Sequence, residues 1–180
     1  MKSPKPMNLK QYFIDYNLHR FLKKQKFEPD QSDTEGKGIG ILFLADSLIH
    51  QQLGTQFQEK IQVKSKEHVH LFGYVPKHLD KQVTFAFPHF SMSDVSLKPD
   101  FSRHKLSLFM QRRYRLLINL DLENHRIIHY VLSQINATYK MAISPEYTAL
   151  YNIIVSRDQD DDMPFLFDKT LDIFEKTVAL

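Results

Sequence analysis

No cysteine occurs among the 180 residues, so the chain has no disulfide framework, no thiolate zinc or iron–sulfur site and no cysteine nucleophile. Any metal would have to be held by His, Asp or Glu. Glycine is scarce, five in all and none after Gly73, so left-handed backbone beyond that point must be built from residues that carry a Cβ. Long hydrophobic runs are missing too. The longest, residues 39–45 with Gly40 inside it, falls far short of the roughly 18 residues a membrane span needs. The first residues lack a continuous apolar stretch and a small-residue cleavage site, and they read as the start of a cytoplasmic protein. What remains is ordinary globular composition, 42% hydrophobic and 25% charged, in about one domain's length.

Charge is unevenly placed. Residues 1–30 hold seven Lys/Arg against three Asp/Glu, residues 31–156 fourteen against eleven, and residues 157–180 three against seven. The chain is therefore basic at its start and acidic at its end, which bears on partners rather than on fold.

Residues 8–26 read as a helix with a broad apolar face (Leu9, Tyr12, Phe13, Ile14, Tyr16, Leu18, Phe21, Leu22) and a basic end at Lys23, Lys24 and Lys26. The Pro-, Gly- and Asp-containing stretch that follows is a linker, so residues 1–37 divide from a body of residues 38–180. In the body, IGILFL (Ile39–Leu44) is too short for a buried helix and suits a strand covered on both faces. Leu48, Leu53, Phe57 and Ile61 then recur at helical spacing, with Asp46 or Ser47 placed to cap. Further strands are expected at residues 68–75, 83–87, 116–120, 139–143 and 151–155. Helices are expected around Leu106 to Met110, from Ile127 to near Asn136, and from Asp162 or Met163 onward with Phe167, Leu171, Phe174 and Val178 inward. Asn136 is the residue expected to take the left-handed turn after its helix. Alternating strands and helices with apolar runs predict a three-layer, doubly wound α/β domain with a mostly parallel sheet of about five strands.

In such a sheet ligands bind beyond the carboxyl ends of the strands, where strand order reverses. Asp46 and Asp121 fall at two such ends, with Ser47, Asn124 and Ser144 nearby, and they form a crevice if their strands are neighbours. Helix capping accounts for both aspartates without a ligand. Dinucleotide and P-loop sites are excluded because the first turn reads ADSLI without glycine and no Walker pattern exists. No G-x-S-x-G elbow marks a serine nucleophile. The pairs His68/His70 and His125/His129 invite a metal, yet no HExxH glutamate accompanies them, and His129 falls about 130° from its helix's apolar stripe, on the solvent side. No metal or cofactor site is expected. Asp158 to Asp162 lack a calcium loop's glycine and distal glutamate and read as a capping loop.

Arg103, Lys105, Arg112, Arg113 and Arg115 form a cationic stretch without an acid. Together with Lys23, Lys24 and Lys26 they make a candidate partner surface, for a protein first, and otherwise for nucleic acid or an anionic membrane surface. A solvated helix face explains the same charges.

The segment YRLLINLDLENHRIIHYVLSQINATYKMAIS resembles the strand, helix, strand unit of the acceptor-side Rossmann-like domain of heptosyltransferase-type glycosyltransferases. The whole arrangement, including a basic helix ending in FLKK, resembles a family of small stand-alone bacterial proteins of unknown function. The first resemblance implies a fold rather than an activity. ADSLIH keeps only Asp46 of the transferases' glycine-containing loop, Ala142 and Ser144 stand where they have glycine, and 180 residues leave no room for their sugar-nucleotide domain. The expectation is a non-enzymatic binding protein acting through its basic first helix. The alternative is a ligand-binding domain, or a remnant transferase or hydrolase, using the crevice at Asp46 and Asp121.

Overall fold

Apolar runs without polar alternation need cover on both faces, and Ile39–Leu44 (β1) is buried at every position. In the computed structural model, which describes residues 9–24, 36–76, 79, 84–95 and 104–178 (without the side chains of 24, 104, 177 and 178), β1 lies at the centre of a six-stranded parallel sheet. Val69–Tyr74 (β2) pairs with one edge of β1, Ile39 opposite Val69, and Tyr114–Asn119 (β4) with the other, Ile39 opposite Leu116. His89–Phe90 (β3), Ala137–Ile143 (β5) and Ile153–Val155 (β6) complete the order β3-β2-β1-β4-β5-β6.

Helices cover both faces. Leu9–Lys24 (α1), His104–Gln111 (α3) and Arg126–Ser133 (α4) pack on one side, around Leu42, Phe72, Leu117 and Ala142. Leu48–Lys64 (α2) and Met163–Val178 (α5) pack on the other, around Ile41, Phe43, Leu116 and Ile118. The expected doubly wound three-layer domain is therefore present, with six strands rather than about five. Gly54 lets α2 lie directly on the sheet, since a Cβ there would sit 2.7 Å from the Phe43 ring. Gly38, at φ +85°, occupies a conformation that side chains rarely adopt and donates its N–H to Glu67 at 2.6 Å just before β1.

The N-terminal helix belongs to this packing. Ile14 and Leu18 are buried in the core that also holds Ile128, Val131 and Leu132, and Asp15 meets Arg126 of α4 at 2.6 Å.

Three local expectations are corrected. The strand expected at residues 83–87 is displaced to His89–Phe90, Val83 itself lying outside the described residues. Gly73 bonds the carbonyl of Pro88 and pairing starts there; Phe87 instead packs its ring on Phe43, at 5.0 Å, and over Gly73. Tyr151 belongs to the end of a 3-10 turn, Thr148–Leu150, and β6 begins only at Ile153. Among the described residues, the left-handed positions after Gly73 are Asn124 (φ 56°) and Ser144 (φ 36°), not Asn136. The helix before Asn136 ends on Gln134 in right-handed backbone, whose N–H already reaches the carbonyls of Val131 and Leu132.

Candidate functional site

Strand order reverses between β1 and β4, and their register, Leu42 opposite Asn119, sets their carboxyl ends side by side. An aspartate follows each strand, and a histidine follows each aspartate by four residues: Asp46 with His50, Asp121 with His125. The two turns are built differently. Ser47 caps α2, its Oγ accepting the His50 N–H at 3.2 Å. That leaves the half-buried Asp46 free of capping, with Oδ1 2.5 Å from His50 Nδ1.

Asp121 is buried and builds the turn leading into α4. Its Oδ1 accepts from the Glu123 N–H at 3.0 Å and from His125 Nδ1 at 3.1 Å, and its Oδ2 accepts the His125 N–H at 2.5 Å. The side-chain bond to Asp121 raises the His125 pKa above its ordinary value in spite of burial, helped by the charges of Asp121, Glu123 and Asp46. The pairing of β1 with β4 sets the two turns side by side. The His125 ring lies 5.7 Å from that of Tyr74, at the end of β2.

Behind this turn runs a buried polar chain. Asn119 Oδ1 accepts the Asp121 N–H, and its amide nitrogen donates to the Tyr151 hydroxyl at 2.9 Å. The Tyr151 proton is then directed to His129 Nδ1 at 2.8 Å, so His129 carries its proton on Nε2, facing Asn124 Oδ1 at 3.2 Å. His129 is fully buried, against the expectation of a solvent-facing position. A single apolar stripe is the wrong description of α4, because the sheet covers one side and α1 packs across it, leaving only Arg126 exposed. Burial holds the His129 pKa down at about 4.

Asn124 and Ser144, the two left-handed residues, tie three loops together. Asn124 Oδ1 also accepts the Glu146 N–H at 2.7 Å, its amide reaches the Ser144 carbonyl at 3.4 Å, and Ser144 Oγ accepts the Arg157 N–H at 2.8 Å. All five residues of the expected crevice thus converge on one end of the sheet. Asp46 holds His50, which lines a cavity, whereas Ser47, Asp121, Asn124 and Ser144 shape the surrounding loops.

The cavity next to His50 measures about 200 Å³. His50, Glu123, Arg157, Asp161 and Asp162 line it with Phe43, Leu120, Met163 and Phe167. Glu123 approaches His125 Nε2 at 3.7 Å and so connects the second Asp–His pair to the cavity. Asp162 caps α5 by accepting the Phe165 N–H, and Asp161 accepts the Asp158 N–H, as expected of a capping loop. His50, Glu123, Tyr151 and Arg157 were missed by sequence reasoning, and His125 was weighed there only as a metal ligand. For the two histidines a signal exists, the repeated Asp-x-x-x-His after the two most apolar strands.

The described cationic residues are spread over α1, α3, β4 and the turn between α3 and β4. Lys26 and Arg103, and the side chain of Lys24, lie outside the described residues, and Lys23 is exposed at the end of α1. Lys105 and Arg112 line a groove of about 430 Å³ between α3 and β2, with His70. Arg115 is turned to Glu67 in an ion pair, and Arg113 is half-buried. On α1, Leu9, Tyr12 and Tyr16 remain exposed. Among the described residues no three His, Asp or Glu side chains converge as metal ligands, and no helix is long and apolar enough to cross a membrane.

Comparison with known proteins gives one match: the model of a family of unknown function, DUF6913, covers residues 10–170. No curated protein and no solved structure matches, so the likeness to glycosyltransferases has no counterpart there.

Proposed function

We propose that this chain, a member of the DUF6913 family of unknown function, binds a small polar ligand in the crevice where β1 and β4 end. The observation that carries this reading is the pair of Asp-x-x-x-His turns on adjacent central strands, at the position where doubly wound sheets take ligands. Each imidazole is oriented by a carboxylate at Nδ1, which leaves Nε2 to meet a ligand.

The test is a thermal-shift screen of small polar metabolites against the full chain and the variants Asp46→Ala and His50→Ala. Both residues are partly exposed, so each variant should lose only about 1 kcal/mol of stability or less. A ligand at a hundredfold its Kd stabilises the parent by about 2.7 kcal/mol, and that rise should vanish in both variants. The reading fails if no compound shifts the parent, or if the rise survives both substitutions. Asp121→Ala does not serve here, because it removes three hydrogen bonds that the buried Asp121 makes within the turn itself.

A second reading keeps α1 as a contact for a protein partner, or for nucleic acid or an anionic membrane surface. It is favoured by the exposure of Leu9, Tyr12 and Tyr16, spaced along one stripe that leads to Arg20 and Lys23. A partner retained by the parent at low and high salt, and lost by Tyr12→Ser/Tyr16→Ser, would support it; retention by the double variant would remove it.

A further inference from the structure

Resting on the crevice reading, we infer that the ligand is a small zwitterion of the α-amino-acid class with an apolar side chain, held in the cavity between the β1, β4 and β6 ends. Size comes first. At about 200 Å³ the cavity lies below the roughly 300–1,000 Å³ of sites for drug-sized ligands, so it suits a small ligand.

Charge narrows the class further. Glu123, Asp161 and Asp162 line the cavity with a single guanidinium, that of Arg157, so a phosphate or other dianion would meet surplus negative charge. Arg157 makes no ion pair among the described residues, whereas Asp161 already lies 3.7 Å from Lys169 and Asp162 serves the start of α5. An anion is wanted at Arg157, where guanidinium geometry suits a carboxylate, and a cation is wanted at Glu123 in the same cavity. Glu123 reaches His125 at 3.7 Å through one oxygen only. His50, its Nδ1 already taken up by Asp46, supplies an Nε2 for an ammonium proton.

The remaining wall fixes the third substituent. Leu120, Met163 and Phe167 are apolar, and an aliphatic or thioether side chain laid on them removes its surface from water. One carboxylate, one ammonium and one apolar group on a small frame describe leucine or methionine.

Calorimetric titration of the full chain with L-leucine and L-methionine tests this beside the two half-molecules, isoamylamine (no carboxylate) and 4-methylpentanoate (no ammonium). Both amino acids should bind, and each half-molecule should bind at least about tenfold more weakly than leucine, a loss of about 1.4 kcal/mol. Arg157→Gln and Glu123→Gln should each weaken leucine by a similar factor, and Arg157→Gln should leave isoamylamine unchanged. The inference is overturned if a half-molecule equals leucine, if either variant keeps the parent affinity, or if neither amino acid binds. Should the amino acids fail while another metabolite binds in a manner that depends on Asp46 and His50, the zwitterion is wrong and the crevice reading stands; a panel with no binder removes both.

Discussion

His129 and His125, four residues apart, are driven in opposite directions. His129 is enclosed by Tyr151, Asn124 and Tyr147, and burial holds it neutral down to a pKa of about 4. His125 is half-exposed on a carboxylate, and its pKa is raised by the bond to Asp121. The consequences for stability have opposite signs. Below its ordinary pKa of about 6.5 the unfolded chain protonates His129 while the folded chain does not. Stability from this residue is thus present above pH 6.5 and is lost as pH falls towards 4, by about 3 kcal/mol at the full extent of the shift. His125 contributes stability below its unfolded pKa and gives it up as pH rises through the folded value. NMR titration of the two imidazoles should find His129 uncharged at pH 5 and His125 titrating above 6.5. Chemical denaturation at pH 7 and pH 5 should show that His129→Phe loses less stability than the parent on going to pH 5, since only the His129 contribution is removed; the same pH dependence in variant and parent would contradict the buried neutral ring.

Among the elements, α1 carries the most consequential placement. Its periodicity was broad enough to serve either as a core helix or as a docking arm, and the sequence gives no ground for choosing, because apolar spacing is the same in both. In the folded chain Ile14 and Leu18 are at most 1% exposed, and α4 is left with buried residues on every side but that of Arg126. A helix buried on nearly every side needs cover beyond the sheet, and α1 supplies part of that layer. Leu18→Ala should therefore cost about 2–5 kcal/mol in denaturant unfolding, whereas Tyr16→Ala, exposed at 56%, should cost less than about 0.5 kcal/mol. Equal small losses at both positions would detach α1 from the core. The same burial bears on the expected division at residue 37: removing residues 1–24 would bare apolar surface of α4, and the shortened chain should aggregate or lose cooperative unfolding.

At the level of the whole molecule, two cores on opposite faces share a single sheet, so neither face can open without exposing the other's strands. Calorimetry should accordingly show one transition, with equal calorimetric and van't Hoff enthalpies; a separate early transition would mean that α1 with its linker behaves as a unit of its own. The exposed ion pair Lys60–Asp168 between α2 and α5 adds little to this coupling, since such surface pairs are worth at most about 1 kcal/mol. The acidic end of the chain falls beside the crevice, where Asp161 and Asp162 form part of the cavity wall. Charge asymmetry along the sequence has become local asymmetry around a candidate ligand.

The strands β1 and β4, the helices α2 and α5 and the doubly wound class follow from the sequence alone, because apolar runs and helical stripes are local signals of which faces must be buried. Asp46 and Asp121 were legible for the same reason, as polar residues ending apolar strands. Their adjacency was not, since strand order is a long-range choice and only the pairing of Leu42 with Asn119 brings the two ends together. His129 was misplaced because its environment is made by Tyr147 and Tyr151, which follow β5 and reach α4 only in the folded chain. The cavity with Arg157 and Glu123 also exists only in three dimensions, assembled from loops that no local pattern connects.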